Sequence, residues 1–120
     1  MFDHIGLRVR DLDASVRFYS AALGALGHVL APSDACSAGL GPEGAPALWL
    51  YAGGEGPRTT AHVAFTAKSR SAVDAFHREG LKARGRDNGA PGLRADYSPT
   101  YYAAFLIDPD GNNVEAVCLS

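Results

Sequence analysis

"HIGLRVRDLDASVRFYSAALGALG", residues 4–27, aligns without gaps on "HVAFTAKSRSAVDAFHREGLKARG", residues 62–85. Identities fall at His4/His62, Ala14/Ala72, Phe18/Phe76, Leu23/Leu81, Ala25/Ala83 and Gly27/Gly85. Matches this few can arise by chance when many offsets are tried, so the shared pattern carries the argument. Each copy opens with a strand alternation: Ile5, Leu7 and Val9 between His4, Gly6 and Arg8, then Val63 and Phe65 between His62, Ala64 and Thr66. Each then enters a helix. Val16, Tyr19, Leu23 and Leu26 follow helical spacing after a cap at Asp11 or Asp13; Val73, Phe76 and Leu81 do so after a cap at Ser69 or Ser71. Gly27 and Gly85 lie where such helices end.

Working outward, "HVLAPS", a Gly-rich stretch around Gly39 to Gly44 and "ALWLYAGG" read as weaker strands after the first helix. After the second come "GRDNGAPGLRADYSPT", read as an irregular loop, and "YYAAFLID" with "NNVEAV", read as a hairpin around Asp108 to Gly111. The outline is strand, helix, then two or three strands, done twice, which is an α+β chain. "GGEGPRTT" is poor in apolar residues and reads as the connection, giving one domain (1–120) of two modules, 1–54 and 61–120, with a linker at 55–60.

A chain of 120 residues suits one compact domain with a real core. With 11 Lys and Arg against 13 Asp and Glu and no run of like charge, the surface has no bias towards nucleic acid or anionic membrane. A small, roughly neutral partner fits better. Charges in "MFDHIGLRVR" interrupt any signal-peptide core, and no segment reaches membrane-spanning length, so a cytoplasmic location is expected. Cys36 and Cys118 are too few and too far apart for a disulfide framework or zinc knuckle, and read as two inert thiols.

One residue resists this reading. Glu115 stands between valines in "DPDGNNVEAV", residues 108–117. If the bulky residues of both opening strands face their helices, His4 and His62 point the other way; in the last strand Asn113, Glu115 and Val117 oppose Val114 and Ala116. All three odd residues could then project from one concave sheet surface. A carboxylate on a half-buried face is costly without a partner. Two imidazoles and a carboxylate suit a divalent ion: iron(II), zinc, manganese or nickel. Taken singly, a histidine at a strand start such as His4 is more often a hydrogen-bonded core or surface residue than a ligand, and Glu115 alone reads as an exposed edge-strand glutamate; the case rests on all three together. His28, just past Gly27, and His77, beside Arg78 and Glu79 on the second helix, read as solvent-facing.

"DHIGLRVRDLDASVRFYSAALGALG", "HVAF" and "DPDGNNVEAV" together resemble the vicinal oxygen chelate superfamily, which includes glyoxalase I, type I extradiol dioxygenases, and fosfomycin- and bleomycin-resistance proteins. The resemblance covers nearly the whole chain. It implies two βαβββ modules forming a curled mixed sheet around a metal or ligand cavity, with His4, His62 and Glu115 as metal ligands, and often a homodimer. One departure stands out: glyoxalase I usually has a fourth protein ligand where this chain has Trp49 in "ALWLY", and indole cannot replace it. The remaining set looks more like that of the extradiol dioxygenases, although their usual additional histidines have no match here.

The resemblance implies a small metal-dependent enzyme of glyoxalase or dioxygenase type, a lyase or oxidoreductase acting on a small oxygen-chelating substrate. Its alternative is a metal-free protein of the bleomycin-resistance type that sequesters an aromatic or planar ligand. With no proton-moving carboxylate at Trp49, negligible isomerisation of a methylglyoxal–glutathione adduct is expected. "RDNGAPGLRADYSPTYY" combines Arg86, Asn88, Arg94, Tyr97, Tyr101 and Tyr102 and leads towards Glu115, as a lid or substrate collar would. Tyr101 and Tyr102 are candidate catalytic groups with Glu115, though neighbours in a strand point apart and only one can face the site. Trp49, Asn88, Arg94 and Tyr97 are candidate substrate contacts. Trp49 reads as a cavity wall, and Arg86 and Arg94 equally as solvated.

Overall fold

The computed structural model describes residues 1–56 and 60–120. Of the expected linker, residues 57–59 lie outside the described residues. The order is β1 (Ile5–Val9), α1 (Leu12–Gly24), β2 (Val29–Leu30), β3 (Ser37–Gly41), β4 (Leu48–Ala52), β5 (His62–Thr66), α2 (Arg70–Lys82), β6 (Arg86–Leu93), β7 (Tyr102–Ile107) and β8 (Asn113–Cys118). Of the two candidate caps for each helix, Asp11 and Ser69 are used: Ala14 N donates to Asp11 Oδ1 (3.0 Å) and Ala72 N to Ser69 Oγ (3.1 Å). The repeated glycines do different work. Gly27 turns the chain out of α1 at φ +91°, whereas after α2 the left-handed residue is Arg84 (φ 72°). Gly85 is instead pressed onto the first module, where a Cβ would stand 2.3 Å from Phe18 Cε1.

The two modules fold alike. One sheet has the order β1-β4-β3-β2 and the other β5-β8-β7-β6, each with its opening strand parallel to its last and the rest antiparallel. The expected single curled sheet is not formed. Each sheet is open and four-stranded, with β1, β2, β5 and β6 as edges, and among the described residues no ladder joins the two. Four strands are too few to close on themselves, and the apolar faces are covered by helices. α1 packs on α2, with Gly80 admitting Phe18, Ala22 and Leu106, so one core runs from Val9, Leu48 and Leu50 to Val73, Phe76 and Val114.

The stretch read as an irregular loop is in part β6. It escapes notice because Gly89, Pro91 and Gly92 break the alternation and register shifts fall at Asp87/Gly89 and Gly89/Gly92. An edge strand tolerates both proline and bulges. β6 also covers His77, which is not solvent-facing: its side chain is 12% exposed and Nε2 lies 2.8 Å from Asp87 Oδ1. His28 is half-buried, and burial first, then Lys68, lowers its pKa.

The Asp-Pro-Asp-Gly turn joins the modules. Asp108 is 2% exposed and accepts from Asp110 N (2.9 Å), Asn112 N (2.8 Å), Asn112 Nδ2 (2.8 Å) and, across the modules, the Tyr19 hydroxyl (2.5 Å). A buried carboxylate is tolerable only with this degree of satisfaction. Burial first, then the Asp108 charge, holds the Tyr19 phenol well above its ordinary pKa. No helix among the described residues is long and apolar enough to cross a membrane.

Candidate functional site

β8 is a central strand, flanked by β5 and β7. Glu115 pairs across to Ala64 on one side and Phe105 on the other, and His62 pairs with Asn113. Cross-strand partners point to the same face, so His62, Phe105, Asn113 and Glu115 share one surface while Val114 and Ala116 enter the core behind it. Together with Tyr97 and Tyr101 these four line a cavity of about 360 Å³.

Glu115 is 2% exposed, yet both its oxygens are engaged. Oε1 lies 3.0 Å from His62 Nε2, and Oε2 accepts from the Tyr101 hydroxyl. His62 Nδ1 faces the Asn113 main-chain oxygen at 3.1 Å. A carbonyl only accepts, so Nδ1 carries its hydrogen and the second imidazole nitrogen is turned to the carboxylate. The pair can therefore hold a proton between Nε2 and Oε1. The hydrogen bond to Glu115, then burial, raises the Tyr101 phenol to about 12. Around this centre, the Tyr97 ring meets Tyr101 edge-on at 5.0 Å, and Asn88 Nδ2 donates to Asn113 Oδ1 at 3.1 Å. Arg94 lies 5.3 Å over the Phe105 ring, its guanidinium tied to the Gly92 and Ala90 oxygens.

Several candidates stand elsewhere. His4 precedes β1 on the other sheet, exposed, its Nδ1 2.6 Å from Asp3 Oδ1. Trp49 lies in β4 against Gly39, where a Cβ would come within 2.9 Å of its ring. Tyr102 pairs with Cys118 on the helix-facing side and donates to Asp74 Oδ1 at 2.6 Å, with Arg70 5.1 Å over its ring. Of the two adjacent tyrosines, Tyr101 is the one at the site. Arg86 is exposed on β6. Phe105 and Asn113 went unread as site residues, yet counting back by two from Glu115 reaches Asn113.

Among the described residues no group of three or more His, Cys, Asp or Glu side chains is gathered to hold a metal. Two donors converge, His62 and Glu115, and the carboxylate already has two hydrogen-bond partners. The set of His4, His62 and Glu115 expected from the sequence is not gathered at one place among the described residues. What it presents is a half-open aromatic cavity floored by a satisfied carboxylate.

No curated protein matches the chain. Solved structures do. A glyoxalase/bleomycin resistance protein from Albidiferax ferrireducens T118 is 31% identical over 98% of each chain, with a TM-score of 0.85. Two others share the fold: a glyoxalase/bleomycin resistance protein/dioxygenase family enzyme from Burkholderia phytofirmans PsJN (18% identity, 98% of each chain, TM-score 0.75) and a glyoxylase/bleomycin resistance protein/dioxygenase domain from Frankia sp. EAN1pec (22% identity, 98% of this chain and 95% of that one, TM-score 0.70). The family profile described as Glyoxalase/Bleomycin resistance protein/Dioxygenase superfamily matches residues 1–116. With the paired βαβββ modules and this coverage, the chain belongs to the Glyoxalase/Bleomycin resistance protein/Dioxygenase superfamily, the vicinal oxygen chelate group its sequence resembles.

Proposed function

We propose that this protein is a cytoplasmic binder of a small planar ligand, held over Glu115 without a resident metal, as in the bleomycin-resistance reading of the superfamily. The observation that carries this is the state of Glu115: both oxygens are engaged within the chain by His62 and Tyr101. The walls of the cavity suit a flat molecule. Tyr97 is 65% exposed, and the His62 and Phe105 rings stand 6.3 Å apart at 24°, so aromatic faces and edges meet the ligand while His62 and Asn113 supply polar contacts. Cys36 and Cys118, both free, fit a reducing compartment. Binding of 1-naphthol or catechol, followed by calorimetry, tests the reading. Tyr97→Ala is expected to weaken it by about 0.5–1.5 kcal/mol, the worth of one aromatic contact; unchanged affinity contradicts it.

A metal-dependent reading keeps one observation in its favour. Nδ1 of His62, donating to a carbonyl, leaves Nε2 oriented as metal-ligating imidazoles are. Among the described residues no third His, Cys, Asp or Glu side chain stands with His62 and Glu115, so this reading needs a further donor; a homodimer that brought His4 of a second copy to the cavity would meet that need. Elemental analysis of protein purified without chelator decides this: equal metal content in wild type and His62→Ala removes the reading. Under either reading, the methylglyoxal–glutathione adduct should not be isomerised, since Glu115, the carboxylate lining the cavity, is already engaged by His62 and Tyr101 and is not free to move a proton at the substrate carbon.

A further inference from the structure

A second cavity, of about 480 Å³, opens between the modules and shares no lining residue with the cavity over Glu115. Its wall carries apolar side chains from both modules, Ile5 and Leu48 from the first sheet, Leu23 from α1, and Val63 and Phe65 from β5, with polar surface between them. Val63 and Phe65 are the residues that period two assigns to the helix side, yet both remain half-exposed, because this part of β5 looks into the gap. Among the described residues, the titratable side chain in the lining is His28, half-buried where the chain leaves α1. Lys68, ahead of α2, is near enough to act on it electrostatically.

We propose that this cavity binds a small amphipathic carboxylate, its apolar chain between the modules and its carboxylate at His28 and Lys68. The volume lies within the range of small-ligand sites, about 300–1,000 Å³, and a junction between two modules is where such sites favour forming. The charge pattern selects among apolar ligands. An amine would meet Lys68 as a like charge, and a neutral chain, although the cavity admits it, would leave Lys68 without a counter-charge. A carboxylate satisfies both groups. Burial and Lys68 together lower the His28 pKa, so a bound anion raises it again, and affinity rises as pH falls towards the ordinary histidine value of about 6.5. This site is separate from the cavity over Glu115, and its fate is independent of the reading given to that one.

The test is titration of the full chain with octanoate, octylamine and octanol by calorimetry and NMR. Octanoate should bind, shifting the signals of Ile5, Val63 and Phe65 while leaving His62 and Tyr101 in place, and should move the His28 titration upward. Octylamine should not bind. His28→Gln and Lys68→Gln should each weaken octanoate about tenfold, one charge-assisted contact, while leaving octanol binding unchanged, which shows that the cavity itself is intact. Octylamine binding as well as octanoate, octanoate affinity indifferent to both substitutions, or shifts confined to the Glu115 cavity would each overturn the proposal. So would absence of octanoate binding, whatever the oligomeric state that light scattering shows.

Discussion

Glu115 owes its place to the opposite sides of one strand: Val114 and Ala116 are wholly buried on the core side, and the carboxylate needs partners on the other. His62 and Tyr101 are those partners, and the link to Tyr101 is measurable. Because the Glu115 hydrogen bond, burial and the nearby charges raise the phenol to about 12, the folded state favours its neutral form. The stabilisation is therefore present below the unfolded value near 10 and is lost as pH rises through about 12. A spectrophotometric titration should show one tyrosine ionising at about 12 that moves back towards the ordinary value in Glu115→Gln; no movement would disconnect the two groups. His62 and Glu115 were readable from alternation within their own strands, and the pairing of β5 with β8 is what brings the two side chains onto one surface. His4 obeys the same alternation but on another sheet, and alternation says which face a residue takes, not which sheet. Phe105 was missed for a related reason: an aromatic in a strand reads as core, and only its pairing with Glu115 places it in the cavity.

Among elements, the helices were the most legible and β6 the least. Caps at Asp11 and Ser69 and the apolar spacing that follows them are local signals, and α1 and α2 obey them. β6 is held by its neighbour β7 and bent by bulges, so its signal is tertiary. The glycines show the same division. Gly27 answers a local demand for positive φ, but Gly85 answers a contact with the other module, since a Cβ there would meet Phe18 Cε1 at 2.3 Å and the Gly80 oxygen at 2.8 Å. Gly85→Ala should therefore destabilise by about 1–3 kcal/mol through overpacking, read as a lower urea midpoint at unchanged slope. Stability equal to wild type would mean that the packing of α1 on α2 is looser than described.

Across the whole molecule, the repeat and its resemblance led to the right superfamily, while the expected curled sheet did not form. Strand order within each module is a property of the module, but how two open sheets sit together depends on contacts such as Tyr19 to Asp108, distant in sequence. Removing that carboxylate should cost more than any surface change. Asp108→Ala leaves the buried Tyr19 hydroxyl and Asn112 amide without their acceptor, a loss of about 3 kcal/mol or more, measurable by denaturant unfolding; a change within 0.5 kcal/mol of wild type, the usual range for surface sites, would show that the turn does not join the modules. The same separation of sheets leaves His4 apart from Glu115, and with both Glu115 oxygens engaged by His62 and Tyr101 it supports reading the cavity as a ligand site complete within one chain. Calorimetric titration of chelator-treated protein with 1-naphthol, repeated after loading with zinc or iron(II), tests that claim most directly. The account predicts binding of the same affinity before and after loading, weakened by Tyr97→Ala. Binding that appears only with the metal, together with a metal content that falls in both His4→Ala and His62→Ala, would contradict it.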